Sequence, residues 1–184
     1  ADVIVVIAFG QIIPKSILEM KQYGCINVHA SLLPKYRGAA PIQWAVLDGL
    51  TETGVTAMYL SAGMDEGDII EIRKTLIQPL ETSEELMARL AQIAAPLCAD
   101  TVRAIETGTA VRIPQDSARA TYAPMLSKEE SPIDWNQPLM PQRMANKMNE
   151  WTKPRQRFTN AVTKSPVVMK RLMLLRSARK PFVN

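Results

Sequence analysis

An amide and an imidazole lie two residues apart near the end of a short apolar segment. Asn27 and His29 follow Cys25 and Ile26, and Val28 separates them. Because residues two apart in a strand point to the same face, we expect the two polar side chains to project together. A polar pair at the end of an apolar strand is costly to bury without partners. The pair is therefore a candidate site; the alternative, which the spacing leaves open, is a structural histidine.

Three carboxylates cluster in a short turn further along the chain. The turn contains Asp65, Glu66 and Asp68 in the run Gly63-Met64-Asp65-Glu66-Gly67-Asp68. Such a turn between two strands can simply be solvated. It can also direct one carboxylate at His29, which would favour the charged imidazole and fix its tautomer. The local sequence leaves both interpretations open.

Together these groups suit acyl transfer to an amine. The reaction passes through a tetrahedral oxyanion, and one amide donor such as Asn27 is typically worth about 3–4 kcal/mol of barrier. Movement of a proton by His29 would contribute roughly 10²–10⁴-fold. Asp65 would orient the imidazole and balance its charge. Because the attacking amine belongs to the substrate, no side-chain nucleophile is required.

The elements that must position these residues form an α/β pattern. Apolar β-branched runs bounded by turn residues predict strands, and apolar residues at helical spacing predict helices. We expect strands at 2–8, 25–29, 54–60 and 68–76, and helices at 14–23, 41–47 and from Thr82 to Gly108. The alternation predicts a parallel or mixed sheet. Ligands of such sheets bind at the carboxyl ends of the strands, where Asn27, His29 and the run Phe9-Gly10-Gln11 are expected.

Composition limits the classes of protein that need to be considered. Hydrophobic residues make up 47% and charged residues 22%, which is typical of a soluble globular domain. No stretch approaches the roughly 18 apolar residues of a membrane span. One histidine and two distant cysteines do not make the usual zinc site, so we expect metal-free chemistry. Cys25 and Cys98 lie among apolar residues, which favours buried thiols in a reducing compartment over a disulfide.

Charge is distributed unevenly along the chain. Residues 1–142 hold 11 Lys+Arg against 17 Asp+Glu, whereas residues 143–184 hold 11 Lys+Arg against Glu150 alone. A basic end of this kind is suited to a polyanion such as RNA. The alternative is a solvated tail without a partner, and charge alone does not choose between them.

The motifs around these residues resemble those of the folate-dependent formyltransferases. The resemblance covers about residues 1–135 and rests on separate, ordered motifs: Ile26-Asn27-Val28-His29-Ala30-Ser31-Leu32-Leu33-Pro34, then Lys35-Tyr36-Arg37-Gly38-Ala39-Ala40-Pro41, then Gly63-Met64-Asp65-Glu66-Gly67-Asp68. A further run from Tyr122 to Trp135 is similar to a linker in the branch that formylates initiator methionyl-tRNA. That resemblance implies a partial Rossmann-like, three-layer sheet and a 10-formyltetrahydrofolate donor.

The resemblance also implies roles for particular residues. Asn27, His29 and Asp65 correspond to the catalytic set of that family. The residues implied to line the folate pocket are Phe9, Gly10, Gln11, Ile12, Ile13, Pro14, Ser31, Leu32, Leu33, Pro34, Ala62, Gly63 and Met64. No metal ligand is implied.

The implied organisation has three parts. Residues 1–110 would form the catalytic core, 111–135 the linker, and 136–184 a basic segment that diverges from the family's β-barrel domain. The family also has an N-terminal stretch before the first residue seen here. Two other functions stay open: formyl transfer to a nucleotide-linked amino sugar, and RNA binding without catalysis through the basic tail.

Overall fold

The computed structural model describes residues 2–9 and 13–127 of the 184-residue chain. In chain order the elements are β1 (Ile4–Val6), α1 (Lys15–Leu18), β2 (Cys25–His29), α2 (Pro41–Leu47), β3 (Glu52–Tyr59), β4 (Ile69–Leu76), α3 (Ser83–Glu106) and a 3-10 turn (Ser117–Arg119). The strands form one sheet in the order β1-β2-β3-β4. The predicted α/β class is confirmed.

The sheet is mixed rather than parallel. β1 and β2 run parallel, with Val6 opposite Asn27. β2 and β3 run antiparallel, with His29 opposite Thr56, and β3 and β4 form a second antiparallel pair. β2 is therefore flanked on both sides as far as Asn27, whereas His29, at its end, pairs with β3.

Helices lie on both faces of the sheet. Ile26 and Val28 are buried in the main core, which they share with apolar residues of α3. The alternate residues of β2 point the other way, where the Cys25 thiol contacts the Ile17 carbonyl of α1 at 3.5 Å. The arrangement of helix, sheet and helix agrees with the three layers that the resemblance implied.

The first two elements are shorter than the sequence predicted. We expected a strand over 2–8, but Ala8 has a φ of 50°, a left-handed conformation that an extended strand cannot include. We also expected a helix over 14–23, but the amide of Tyr23 donates to the Asp2 carbonyl at 3.0 Å instead of to a helical carbonyl. The pairing of the chain alongside β1 therefore replaces the last helical turns.

α3 begins and ends as predicted. Thr82 is its N-cap, and the capping box that the Thr82–Glu85 spacing predicted is present. The buried side of α3 includes Leu86, Leu90 and Leu97, which are fully shielded from solvent. Of the helices in the described part of the chain, none has the combination of length and apolar character needed to cross a bilayer.

The capping box allows a test of stability. Thr82 Oγ1 accepts a hydrogen bond from the Glu85 amide at 3.3 Å, so Thr82→Ala leaves that amide without its cap. We expect the free energy of unfolding in urea to fall by about 1 kcal/mol. Thr51→Ala, at an exposed threonine that caps no helix, is the matched control. Equal unfolding energies for the two variants would contradict this account of the helix start.

Candidate active site

His29 is buried at the carboxyl end of β2, and its ring is held from one side. Nε2 lies 2.8 Å from the backbone carbonyl oxygen of Tyr36. Because a carbonyl can only accept, Nε2 carries a proton and donates it there. The second nitrogen, Nδ1, lies 3.6 Å from Asp65 Oδ2, which is beyond ordinary hydrogen-bond length. Nδ1 is therefore the nitrogen available for a substrate.

Asp65 is the carboxylate of the turn that faces His29. Its side chain is largely buried, and Oδ2 accepts a hydrogen bond from the Gly38 amide at 2.9 Å. Glu66 is exposed and contacts Ser61, whereas Asp68 faces Arg112. The structure thus distinguishes between three carboxylates that the local sequence could not separate.

The backbone of the turn has a strained shape. Asp65 has a φ of 51°, in the left-handed region that most residues avoid but that aspartate and asparagine tolerate better than others. A Cβ on Gly67 would lie 1.9 Å from the Tyr59 carbonyl oxygen, so only glycine fits there. The turn is consequently fixed in one shape that directs Asp65 inwards.

The loop after β2 supplies both main-chain contacts to the site. Tyr36 presents its carbonyl to His29, and Gly38 presents its amide to Asp65. At its start, the loop is attached to β3 by Thr56, whose hydroxyl donates to the Ser31 carbonyl at 2.6 Å and accepts from the Leu33 amide at 3.3 Å. The side chain of Thr56 is fully buried, so this attachment is shielded from water.

A segment from beyond α3 holds the other end of this loop. The Arg37 amide donates to the Thr121 carbonyl at 2.9 Å, and the Ala123 amide donates to the Arg37 carbonyl at 2.7 Å. A Cβ on Gly38 would lie 2.8 Å from the Ala123 carbonyl oxygen, so glycine permits this close approach. Residues assigned by sequence to the linker therefore contact the site directly.

The Tyr36 side chain ties the loop to the end of α2. Its hydroxyl donates to Asp48 Oδ2 at 2.7 Å. Burial and the Asp48 carboxylate together raise the pKa of Tyr36 to about 12. The phenol therefore stays protonated at neutral pH and continues to donate this bond.

Asn27 lies two residues before His29 on the same face of β2, as predicted. Its side chain is partly buried, and its amide makes no hydrogen bond to another residue within 2–9 and 13–127. Solvent reaches the polar atoms of this side-chain amide, since among the described residues the buried atom without a partner is Thr101 Oγ1. The Asn27 amide is therefore available to a bound molecule.

The residues implied to line a folate pocket differ in how far they are buried. Ser31 and Leu33 are buried and help to build the loop, and the Ser31 hydroxyl donates to the Lys35 carbonyl at 2.7 Å. Phe9 and Met64 expose more than half of their apolar side chains. Among the others, Pro14 and Ala62 are exposed, and Ile13, Leu32, Pro34 and Gly63 are partly buried. Gly10, Gln11 and Ile12 lie outside the described residues.

Neither cysteine is paired. Cys25 and Cys98 are both buried and free, as the sequence predicted. Burial raises the pKa of the Cys98 thiol to about 11 and also raises that of Cys25, so both stay uncharged at neutral pH. In the part of the chain with described coordinates, no three metal-ligating side chains come together.

Sequence reasoning did not identify the groups that hold the side chains of His29 and Asp65. Tyr36 and Gly38 act through main-chain atoms, and Gln115, whose side chain contacts the turn around Asp65, lies in the predicted linker. Contacts made by main-chain atoms do not depend on the type of residue, so the sequence gives no sign of them, apart from the glycine at position 38. The geometry as a whole places an available amide and an available imidazole nitrogen on one face of β2, with a carboxylate beside the imidazole.

Comparisons with known proteins agree with this chemistry. A protein-family model described as formyl transferase matches residues 1–102. A methionyl-tRNA formyltransferase of Agathobacter rectalis is 52% identical over 152 residues, which are 82% of this chain and 49% of that protein. A second one, of Geotalea uraniireducens, is 48% identical over 151 residues, which are 82% of this chain and 48% of that protein. The chain thus spans about half the length of the curated relatives that it matches.

Solved structures share the fold. The formyltransferase PseJ from Anoxybacillus kamchatkensis, solved with a formamido sugar nucleotide and tetrahydrofolate, aligns with a TM-score of 0.64 at 29% identity, over 77% of this chain and 76% of that one. A methionyl-tRNA formyltransferase from Clostridium thermocellum aligns with a TM-score of 0.62 at 26% identity, over 78% of this chain and 60% of that one.

Proposed function

The chain belongs to the formyl transferase family, and from that premise we propose that the protein transfers a formyl group from 10-formyltetrahydrofolate to the amino group of initiator methionyl-tRNA. The proposal rests on the position of His29 beside Asp65, which come from β2 and a distant turn and whose Nδ1 and Oδ2 atoms lie 3.6 Å apart. Asn27 lies on the same strand as His29, and its side chain hydrogen-bonds to no other described residue. The identity of about half over most of this chain to methionyl-tRNA formyltransferases supports the choice of substrate.

Each of the three side chains has a distinct task in this reaction. As the substrate amine attacks the formyl carbon, the carbonyl oxygen gains negative charge, and the Asn27 amide donates a hydrogen bond to it. The neutral imidazole of His29 accepts the amine proton at Nδ1, because Nε2 is already protonated and bound to Tyr36. Asp65 stabilises the imidazolium that results. The proton then passes to the departing folate nitrogen as the old carbon–nitrogen bond breaks.

The exposed apolar side chains fit the donor that we propose. Phe9 follows β1 and Met64 precedes Asp65, and both present apolar surface that a flat pterin ring can cover. The folate pocket would include these two residues together with the partly buried Leu32 and Gly63. Residues 10–12, which the resemblance also implies for this pocket, lie outside the described residues.

The transfer RNA would be bound by parts of the chain that follow α3. The run similar to the tRNA-enzyme linker begins at Tyr122, which is exposed, and continues beyond the described residues. The basic segment 143–184, which also lies outside them, carries 11 cationic residues suited to a phosphate backbone. Such a protein would act in translation initiation, in bacterial cytoplasm or an organelle.

The decisive assay measures the formylation of charged initiator tRNA. The protein is incubated with 10-formyltetrahydrofolate and methionyl-tRNA, and the amino acid is released and analysed by mass spectrometry. We expect formylmethionine. A nucleotide-linked amino sugar offered in competition decides the alternative: formylation of the sugar with the tRNA left unmodified would refute the proposed substrate, and no transfer to either would refute the reaction.

The turn also offers a matched pair of charge substitutions. Asp65→Asn keeps the shape and the tolerance of left-handed φ but removes the charge that balances His29. We expect kcat to fall roughly 10–100-fold, the scale of a disturbed catalytic geometry. Glu66→Gln removes the neighbouring exposed carboxylate, and we expect kcat to stay within about twofold of the parent, as for a surface residue. Equal effects of the two substitutions would contradict the role of Asp65.

A further inference from the structure

Gln115 lies in the segment after α3, and its side-chain amide uses its full hydrogen-bonding capacity. Oε1 accepts from Arg37 Nε at 3.1 Å and from Arg37 Nη2 at 2.8 Å. Nε2 donates to the backbone carbonyls of Asp65 and Gly67 at 2.9 and 2.7 Å. A guanidinium can only donate and a carbonyl can only accept, so the amide has one possible orientation.

Arg37 provides a rigid support for this amide. Arg37 is only 3% exposed, and no carboxylate pairs with it among residues 2–9 and 13–127. Its backbone is held on both sides, at Thr121 and at Ala123. A buried cation without a counter-ion must be hydrogen-bonded to be tolerated, and Gln115 supplies that contact.

The opposite end of the amide holds the turn that carries Asp65. The left-handed backbone of Asp65 is a conformation that persists only where the surroundings enforce it. Gln115 holds the carbonyls of Asp65 and Gly67, on either side of Glu66, whereas Gly38 holds the Asp65 carboxylate. Without Gln115, only the carboxylate end of Asp65 would stay attached.

We propose that Gln115 is a positioning residue: it fixes the 63–67 turn so that the Asp65 carboxylate stays beside His29 Nδ1. Gln115 acts through the backbone of the turn, and its side chain hydrogen-bonds to Arg37, Asp65 and Gly67 rather than to His29 or Asn27. The inference deepens the proposed formyl transfer and rests on it for its kinetic part. Its structural part concerns the His29 ring alone and can be measured without turnover.

Two substitutions separate the ends of the amide. Gln115→Glu keeps an acceptor for Arg37, now as a charged partner, but turns oxygen towards two carbonyls that cannot donate to it, so the support of the turn is lost while the contact with Arg37 is kept. Gln115→Met keeps the length of the side chain but loses both the contact with Arg37 and the two hydrogen bonds to the turn. For both variants of the full protein we expect kcat to fall about 10-fold, no more than for Asp65→Asn, with KM for the folate donor within about threefold.

The His29 ring provides a readout that a merely structural role would not move. The sequence contains one histidine, so its ring-nitrogen NMR signals are unambiguous. We expect both Gln115 variants to shift the Nδ1 signal and the tautomer ratio, because the carboxylate beside Nδ1 moves. Gln92→Met, at an exposed glutamine of α3, is the matched control and should leave the His29 signals and kcat unchanged.

The possible results separate the two proposals. Parent-like ring signals in a folded Gln115→Glu protein would overturn the positioning role, whatever the activity. A loss of activity confined to KM would overturn it as well. If the parent transfers no formyl group but the Gln115 variants still shift the His29 signals, the proposed function fails and the positioning role stands. If Gln115→Met does not fold, Gln115→Glu decides alone.

Discussion

Replacement of His29 by alanine should lower kcat for formyl transfer roughly 10²–10⁴-fold, the usual contribution of a positioned general base. Nδ1 is the ring nitrogen without a hydrogen bond to another described residue, and the Asp65 carboxylate 3.6 Å away stabilises the cation that forms there. The measurement is single-turnover formylation, which separates the chemical step from product release.

His29→Gln tests whether the ring matters for its shape or for its proton. A glutamine amide can still donate to the Tyr36 carbonyl, as Nε2 does, but it cannot accept and release a proton near neutral pH. We therefore expect His29→Gln to be nearly as inactive as His29→Ala while its unfolding free energy stays closer to that of the parent. Turnover restored by glutamine would show that His29 is a structural residue.

The part of the site that lies on β2 could be predicted because strand geometry is regular. Alternation places Asn27 and His29 on one face and Val28 on the other, and this holds wherever the strand is paired. The capping box of α3 was equally predictable, because the Thr82–Glu85 spacing is a local signal. Both features depend on a few consecutive residues and not on the rest of the fold.

The choice of Asp65 could not be made from local residue types. The three carboxylates of the turn are chemically similar, and what separates them is the left-handed backbone at Asp65 and the amide of Gly38 that its side chain meets. Both depend on tertiary contacts. The resemblance to a known family named Asp65, and the residue assignment as a whole stays a prediction until variants are measured.

Helix α1 is shorter than predicted because of a tertiary contact as well. The sequence favoured a helix up to Tyr23, and local propensity contains nothing against it. The Tyr23 amide is nevertheless bound by the Asp2 carbonyl, a contact across the β1–β2 connection. Gln115 is a stronger example, because its amide bonds to Asp65, 50 positions earlier in the chain. Contacts of this range cannot be inferred from periodicity or spacing.

Asn27→Ala should lower kcat roughly 10²–10³-fold, the cost of removing one oxyanion donor, with little change in KM for either substrate. Asn27→Asp should be at least as inactive, because a carboxylate would repel the developing oxyanion instead of donating to it. Single-turnover formylation of methionyl-tRNA is again the measurement, and Gln92→Ala on the surface of α3 controls for a change of side-chain size. A loss that appears wholly in KM would mean that Asn27 binds substrate without stabilising the oxyanion.

The free energy of unfolding of Asn27→Ala tests, without any turnover, whether Asn27 serves the reaction rather than the fold. The side-chain amide of Asn27 is partly buried in a central strand and has no hydrogen-bond partner among the described residues, so its removal breaks no hydrogen bond between them. Because solvent reaches the Asn27 amide, its replacement by an apolar side chain leaves no buried polar group unpaired. We expect the free energy of unfolding to stay within about 0.5 kcal/mol of that of the parent. A variant that is inactive and no less stable is expected when a polar group is kept for the reaction at the expense of the fold, whereas a clear loss of stability would indicate that Asn27 supports the sheet.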